Sequence, residues 1–350
     1  MSSNPPKKMV YVRLGSSGLK VSRLILGCGI YGKKSWGQWM VEEEEAIKQI
    51  KAAYDAGIQT FDTANMYANG ESERIVGKAI KQLNLPRDEI VVMTKLYQVV
   101  PHDPDAPPYV HTGARADADG YVNQYGLSRK HIFDSIKHSL ERLQLDYVDV
   151  LQCHRFDYNT PIAETMQALH DVVKAGYARY IGMTTCHAYQ FHAMQNYAIN
   201  NNLTPFISMS NQYNLIYRED ERETIPTLKM LGVGFMPWSP LCQGVLGRPY
   251  SQTSIRGETS FTASWANTTK EDNKEVILRL EQIAKSRGVS MAQAAIAWHL
   301  SKDGVTAPII GASSIQRLQE TIGALDIKLT DEEIKHLEEP YVAQATQGYV

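Results

Sequence analysis

Short apolar runs alternate along this chain with stretches whose apolar residues recur every three or four positions. The runs are Leu24–Cys28, the residues leading into Asp62, Ile90–Lys95, Tyr147–Gln152, Arg179–Met183, Phe206–Ser210, Val233–Pro237 and Pro308–Ile310. Runs of this kind suit strands buried on both faces. The stretches between them read as amphipathic helices. Glu42–Glu45 open the first, where acids favour the positive end of the helix dipole, and Gly57 stops it as a left-handed cap. A second opens at Glu71 and carries Ile75, Val76, Ala79, Ile80 and Leu83 on one face. Others start at Ser128, span Ile162–Lys174, or lie near Tyr189–Asn200, Glu219–Leu231, Glu275–Arg287, Met291–His299 and Ser314–Leu325. Eight strand–helix units in one alternation predict an α/β protein, a closed (β/α)8 TIM barrel in which the 350 residues form one domain. Two connections exceed turn length, Tyr97–Leu127 after the third strand and Leu241–Lys270 after the seventh. Both leave strand C-termini, the end where barrel active sites lie, and loops that long are usually functional.

Composition excludes more than it selects. With 43% hydrophobic and 21% charged residues, the chain has the make-up of a globular protein. Its 36 basic and 38 acidic residues leave a formal net charge of -2, so nothing marks a nucleic-acid or membrane-surface partner. The opening MSSNPPKKMVYV lacks the apolar core of a secretory signal, and no apolar stretch is long enough to span a bilayer. Cys28, Cys153, Cys186 and Cys242 form no CxxC pair and read as reduced thiols, so a cytoplasmic location is expected. Glycosylation sequons at Asn202 and Asn267 then count as chance matches.

Gly27–Gly32 reads GCGIYG and matches GxGxxG, but Lys33–Met40, with two tryptophans, intervenes before any helical pattern. A dinucleotide fingerprint needs the helix N-terminus directly at that point, so a flexible turn is expected instead. The residues that stand out lie at strand ends two, three and four. Asp62, Lys95 and His154 fall there, and Tyr67 follows Asp62 within TFDTANMYANGESERIVG. Each alone has an ordinary explanation: a turn aspartate, a loop aromatic, a solvated lysine, a core histidine. Together on one face they make a proton-handling set. A free tyrosine, with a pKa of about 10, is too weak an acid near neutrality. A neighbouring ammonium lowers that value, and a carboxylate keeps the ammonium charged and placed. This assigns Tyr67 as general acid, Lys95 as its tuner, Asp62 as the partner of Lys95, and His154 as a neutral donor to a substrate carbonyl. Such a site suits carbonyl reduction by a hydride donor. Cys153 cannot pair with His154, because neighbours on a strand face opposite ways. The histidines and cysteines show no metal-ligand spacing, and no metal is expected.

DTANMYANGESERIVGKAI, VVMTK, LQCH, PWSPL and PIIGASS, spread in this order between Tyr11 and Leu325, resemble the aldo-keto reductase superfamily. VSRLILGC and YNLIYRE resemble its aryl-alcohol dehydrogenase-like members. The resemblance implies a TIM barrel that reduces aldehydes and ketones with NADPH and without metal. It places the family's tetrad on Asp62, Tyr67, Lys95 and His154. It implies that Thr184 and Thr185 meet the nicotinamide carboxamide, where the family has Ser-Asn. Either Ser210 or Gln212, which share a strand face, stands for the family's glutamine. Trp238, followed by Ser239 and Leu241, matches the aromatic that stacks on nicotinamide. Gly311, Ser313 and Arg317 match the adenosine-phosphate segment, where an arginine at a 2′-phosphate favours NADP over NAD. Glu320 and Thr321 match the adenine-facing pair, with Thr where the family has Asn. Arg248 and Arg256 are candidates for the pyrophosphate.

Tyr31, Trp36 and Trp39, with the loop after the third strand, are expected to form an aromatic substrate pocket. The expected function is reduction of aromatic or similar aldehydes. Two other readings stay open: a cofactor-sensing binding subunit, as potassium-channel β subunits are, and a metal-free barrel lyase or isomerase using Asp62 and His154.

Overall fold

The period of two along each strand builds this molecule, because it separates a helix-facing side from a barrel-facing side. The computed structural model describes residues 9–109, 113–260 and 270–349; the first eight residues and Asn267 lie outside the described residues. A hairpin of β1 (Tyr11–Arg13) and β2 (Lys20–Ser22) comes first. Then follow β3 (Ile25–Gly27), β4 (Thr60–Asp62), β5 (Val91–Leu96), β6 (Val148–Cys153), β7 (Ala178–Thr184), β8 (Phe206–Ser210), β9 (Gly234–Phe235) and β10 (Ile309–Ile310). These eight pair in parallel in chain order, with β10 beside β3. The Ile309 N–H donates to the Pro237 carbonyl at 2.8 Å and closes the ring, so the expected (β/α)8 barrel forms.

Inside, Val91, Met93, Val150 and Met236 pack with Ile25, Ala307 and Ile309. Two residues further along these same faces come Lys95, Gln152 and Trp238. Each inward face thus runs from apolar at the barrel's base to polar at its mouth. Outward residues, among them Leu24, Phe61, Val92, Leu151, Cys153, Ile181 and Phe235, join the core shared with the helices.

Several elements differ from the periodicity reading. The hairpin is one, since its short strands carry no apolar run. It plugs the base: Leu14 and Val21 enter the interior cluster. At the turn, Gly15 has φ +61, and a Cβ there would stand 2.4 Å from the Gly232 carbonyl oxygen, so only glycine fits. The helix expected over 219–231 is a 3-10 turn, Glu219–Glu221, and a helix, Thr224–Leu231. Pro226 lacks an N–H and is tolerated only in a first turn, which sets that start. The helix expected over 314–325 runs Ile315–Ile322 and tightens into a 3-10 turn, Gly323–Asp326. A last helix, Asp331–Glu338, opens on a capping box between Thr330 and Glu333.

The two long connections carry short helices of their own, Ala114–Ala118 and Ile255–Thr259. GCGIYG is a turn, as expected, but a pinned one. Val41 N–H donates to the Ile30 carbonyl at 2.8 Å, and Gly32 N–H to the Val41 carbonyl at 2.9 Å. The following helix opens only at Glu43. Among the described residues no helix is long and apolar enough to cross a membrane.

Candidate active site

Asp62 ends β4, Lys95 stands one residue from the end of β5, and His154 follows β6, so consecutive strands bring all three to one mouth. Lys95 Nζ donates to Asp62 Oδ2 at 2.5 Å, to the Thr63 carbonyl at 2.9 Å and to the Tyr67 hydroxyl at 3.4 Å. Gln152 Nε2 donates to the other Asp62 oxygen at 2.9 Å. Both charges are buried, 3% exposed each. Burial pushes the Lys95 ammonium down, but Asp62 and then Tyr67 pull it up, and the net lies above the ordinary lysine value. The ammonium therefore persists at neutral pH. His154 is held well below the ordinary histidine value by burial first, then by Arg155 and Lys95, so its imidazole is neutral. Its Nδ1 has no partner among the described residues, and its ring meets Tyr67 edge-on with centroids 5.8 Å apart.

A turn of uncommon backbone aims Tyr67. Ala68, Asn69 and Gly70, directly after it, take φ +47, +54 and +87. Left-handed backbone costs energy at non-glycine residues and needs support from its surroundings. Asn69 Nδ2 supplies some, donating to the Ala106 carbonyl at 2.8 Å and tying the turn to the 97–127 loop. Ser72 Oγ donates to the Cys28 carbonyl at 2.7 Å. Buried Glu73 accepts from Thr94 Oγ1 at 2.5 Å and from Arg142 Nε at 2.6 Å. From the opposite side Gly29 lies against the phenol ring, where a Cβ would stand 3.2 Å from Tyr67 Cε2. The glycine-rich turn after β3 and the polar residues 69–73 are both supports for one phenol.

The candidate cofactor residues line the next strand ends. Thr184 Oγ1 donates to the His154 carbonyl at 3.2 Å and lies 3.2 Å from Thr185 Oγ1, which accepts the Trp238 indole N–H at 3.2 Å. These hydroxyls are thus engaged within the protein. Ser210 Oγ and Gln212 Oε1, by contrast, are buried and meet no partner among the described residues. Ser239 is left-handed at φ +55, and its carbonyl accepts Asn214 Nδ2 at 3.0 Å. Leu241 is half-buried, and its carbonyl accepts the Gly244 N–H at 2.9 Å.

Further out, Arg317 Nη1 donates to Ser313 Oγ at 2.8 Å. Arg248 donates to the Gly244 and Thr253 carbonyls at 3.0 and 2.5 Å. Burial and then the charge of Arg317 lower the Arg248 guanidinium, so two cations face each other. Gly311 is exposed just after β10, and Glu320 is half-exposed one turn beyond Ser313 and Arg317. Thr321 is buried, and its hydroxyl bonds back to the Arg317 carbonyl at 2.8 Å, which turns it into its own helix.

Of the three expected pocket residues, two belong to the apolar cluster against which Tyr67 packs. Trp36 and Trp39 pack edge-on with centroids 5.9 Å apart, in a cluster with Met40, Ala64, Met66 and Ala68 against the Tyr67 ring. Tyr31 does not join them. It is wholly buried with its hydroxyl 3.3 Å from Gln49 Oε1, so it braces the wall from behind. Nor does Arg256 join Arg248: its guanidinium carbon lies 4.5 Å over the Trp39 ring. Two residues went unnoticed in the sequence. Arg155 Nη1 donates to the His154 carbonyl at 2.7 Å. Tyr349 reaches back from the C-terminal segment, where its hydroxyl accepts Asn211 Nδ2 at 2.8 Å and its ring meets His187 at 4.6 Å. Adjacency to His154 is the one signal that marks Arg155; nothing in spacing marks Tyr349.

Comparison with known proteins agrees with this geometry. Residues 23–341 match the model of the aldo/keto reductase family. The chain is 47% identical over 340 residues to versiconal hemiacetal acetate reductase of Aspergillus parasiticus, spanning 96% of this chain and 98% of that relative. It is 44% identical over 348 residues to an aldo-keto reductase of Metarhizium robertsii, spanning 98% and 94% of the two chains. A Schizosaccharomyces pombe protein whose name proposes an aryl-alcohol dehydrogenase is 46% identical over 358 aligned positions, spanning 100% of both. With the barrel, the strand-end cluster and a family match over most of its length, the chain belongs to the aldo/keto reductase family of oxidoreductases.

Proposed function

We propose that this protein reduces aldehydes and ketones, aromatic aldehydes foremost, with NADPH, and that Tyr67 supplies the proton. The observation that carries this reading is the buried bonding of one ammonium, Lys95, to both the Asp62 carboxylate and the Tyr67 hydroxyl. When bound, NADPH supplies a hydride to the carbonyl carbon. The carbonyl oxygen then gains negative charge, and the Tyr67 O–H donates to it. Lys95 stabilises the phenolate that remains, while Asp62 keeps Lys95 charged and Gln152 fixes the second Asp62 oxygen. Neutral His154 offers an N–H to the same carbonyl oxygen and orients it.

The residues present fit the cofactor. Ser210 and Gln212 carry the unmet polar atoms a carboxamide needs, and buried polar atoms are rarely left unmet. Trp238 offers an aromatic face, and the Arg248–Arg317 pair offers charge for phosphates. The Ser313–Arg317 bond pre-forms a fork suited to a 2′-phosphate, which favours NADP over NAD. The aromatic cluster at Trp36 and Trp39 and the aryl-alcohol dehydrogenase name of the Schizosaccharomyces pombe relative support aromatic substrates. Four buried free cysteines fit a reducing compartment such as the cytoplasm. The test is NADPH oxidation with a panel of benzaldehydes, in which alcohol formed is expected to equal NADPH consumed. Silence across the whole panel and across aliphatic carbonyls would overturn the reading.

A further inference from the structure

We infer that the preferred substrate carries a carboxylate, and that Arg256, with Arg155, receives it beside Tyr67. This rests on the carbonyl-reductase reading above. Several other buried or half-buried cations among the described residues have acceptors. Lys95 has Asp62, Arg142 has Glu73, Arg87 has Asp149, and Arg218 has Glu221 and Glu338. Arg23 donates to the carbonyls of Leu300, Val305 and Thr306. At the mouth the pattern breaks. Arg155 makes a single bond, to the His154 carbonyl. Arg256 makes none among the described residues: its Nε is buried without a partner there, and its guanidinium carbon lies 4.5 Å over the Trp39 ring.

Removing a guanidinium from water without enough acceptors is costly, so a site that keeps one with no acceptor among the described residues, Arg256, and one with a single acceptor, Arg155, invites an anion. Burial lowers both guanidinium groups, and only phenols act against that: Tyr67 on Arg256, and Tyr67, Tyr97 and Tyr349 on Arg155. Both arginines therefore lie within electrostatic reach of the phenol proposed to face the carbonyl, and no carboxylate among the described residues competes for them. An arginine over an indole ring keeps its N–H fork, the arrangement that can meet a carboxylate with two bonds. The Trp36–Trp39 cluster packed against Tyr67 gives an apolar wall for a ring joining the two ends of such a substrate. The competing anion is the cofactor diphosphate. Arg248 faces Arg317, whereas Arg256 turns to Trp39 and Tyr67, and that separation favours the substrate.

The test compares 4-formylbenzoate with its methyl ester, as a ratio of kcat/KM, in the parent, Arg256→Leu and Arg256→Lys. The NADPH dissociation constant is measured on each protein. The parent is expected to prefer the carboxylate by about thirtyfold, Arg256→Leu to lose that preference and Arg256→Lys to keep part of it. NADPH affinity is expected to stay within about threefold, and benzoate, which has no carbonyl to reduce, to bind the parent and not Arg256→Leu. Equal turnover of acid and ester by the parent would overturn the inference. So would weakened NADPH binding with an unchanged ratio, which would assign Arg256 to the cofactor phosphates. Turnover of neither compound would instead count against the reductase reading, and benzoate binding would then decide the anion site by itself.

Discussion

The proposed proton-handling cluster and the proposed cofactor strip share one barrel mouth and differ in how their polar atoms are met. Around Tyr67, both Asp62 oxygens are bonded, Lys95 spends three bonds within the protein, and the turn at 68–70 is tied down by its neighbours. Along the strip, Ser210 Oγ and Gln212 Oε1 have no partner, and Arg248 faces another cation. Apart from His154 Nδ1 and Gln152 Oε1, the first region is met within the protein; the second, on the proposed function, is completed by a ligand. That division suits an enzyme whose donor must be in place before the hydride arrives, since preorganised dipoles cost no rearrangement during reaction.

Breaking the first region carries the largest expected effect. Tyr67→Phe removes one oxygen and is expected to lower kcat by about 10²–10⁴-fold in steady-state assays. A kcat equal to the parent's would remove Tyr67 from the proton-donor role. Lys95→Met strands Asp62 in a buried site with Gln152 alone, a change expected to cost about 3–5 kcal/mol of folding stability in urea titrations. Unchanged stability would mean that the Gln152 bond satisfies this carboxylate by itself.

The second region is expected to respond more mildly and only towards its ligand. Arg317→Ala should raise KM for NADPH by about tenfold while shifting KM for NADH by less than about twofold. Equal shifts would separate the Ser313–Arg317 fork from the 2′-phosphate. The smallest effect concerns His299, which lies wholly buried under the turn after Trp238 with Nε2 3.3 Å from the Pro240 carbonyl. Burial, the largest cause, holds its pKa down to about 3. The unfolded chain, with a histidine value of about 6.5, binds the extra proton first as pH falls. Stability from this group is therefore full above pH of about 6.5 and is lost towards about 3, at up to about 1.4 kcal/mol per pH unit. His299→Leu should flatten that slope in urea titrations across the interval, and an unchanged slope would locate the acid lability in other groups.

What was legible in the sequence follows from what repeats. Barrel strands repeat every second residue, so the apolar runs located all eight, and the tetrad was visible as polar residues at their ends. Loop-borne side chains carry no period. Arg155 therefore looked like any surface arginine and Arg256 like a ligand of the cofactor pyrophosphate, and only the folded chain sets both under the influence of Tyr67. The engagement of Thr184 and Thr185 with His154 and Trp238 was hidden for the same reason, because it joins three strand ends that are distant in sequence. Thr330 to Glu333, by contrast, is a capping box readable in the chain, and it marks a helix that apolar periodicity alone passes over.

The division between the two regions is tested most directly by titrating NADPH into the parent and into Tyr67→Phe, followed by cofactor fluorescence. If the donor cluster is complete before the ligand and the strip alone holds NADPH, the two dissociation constants should agree within about twofold while turnover is lost, as expected for a group that acts mainly in the transition state. An NADPH affinity that falls together with turnover would contradict that division and make Tyr67 part of the cofactor site.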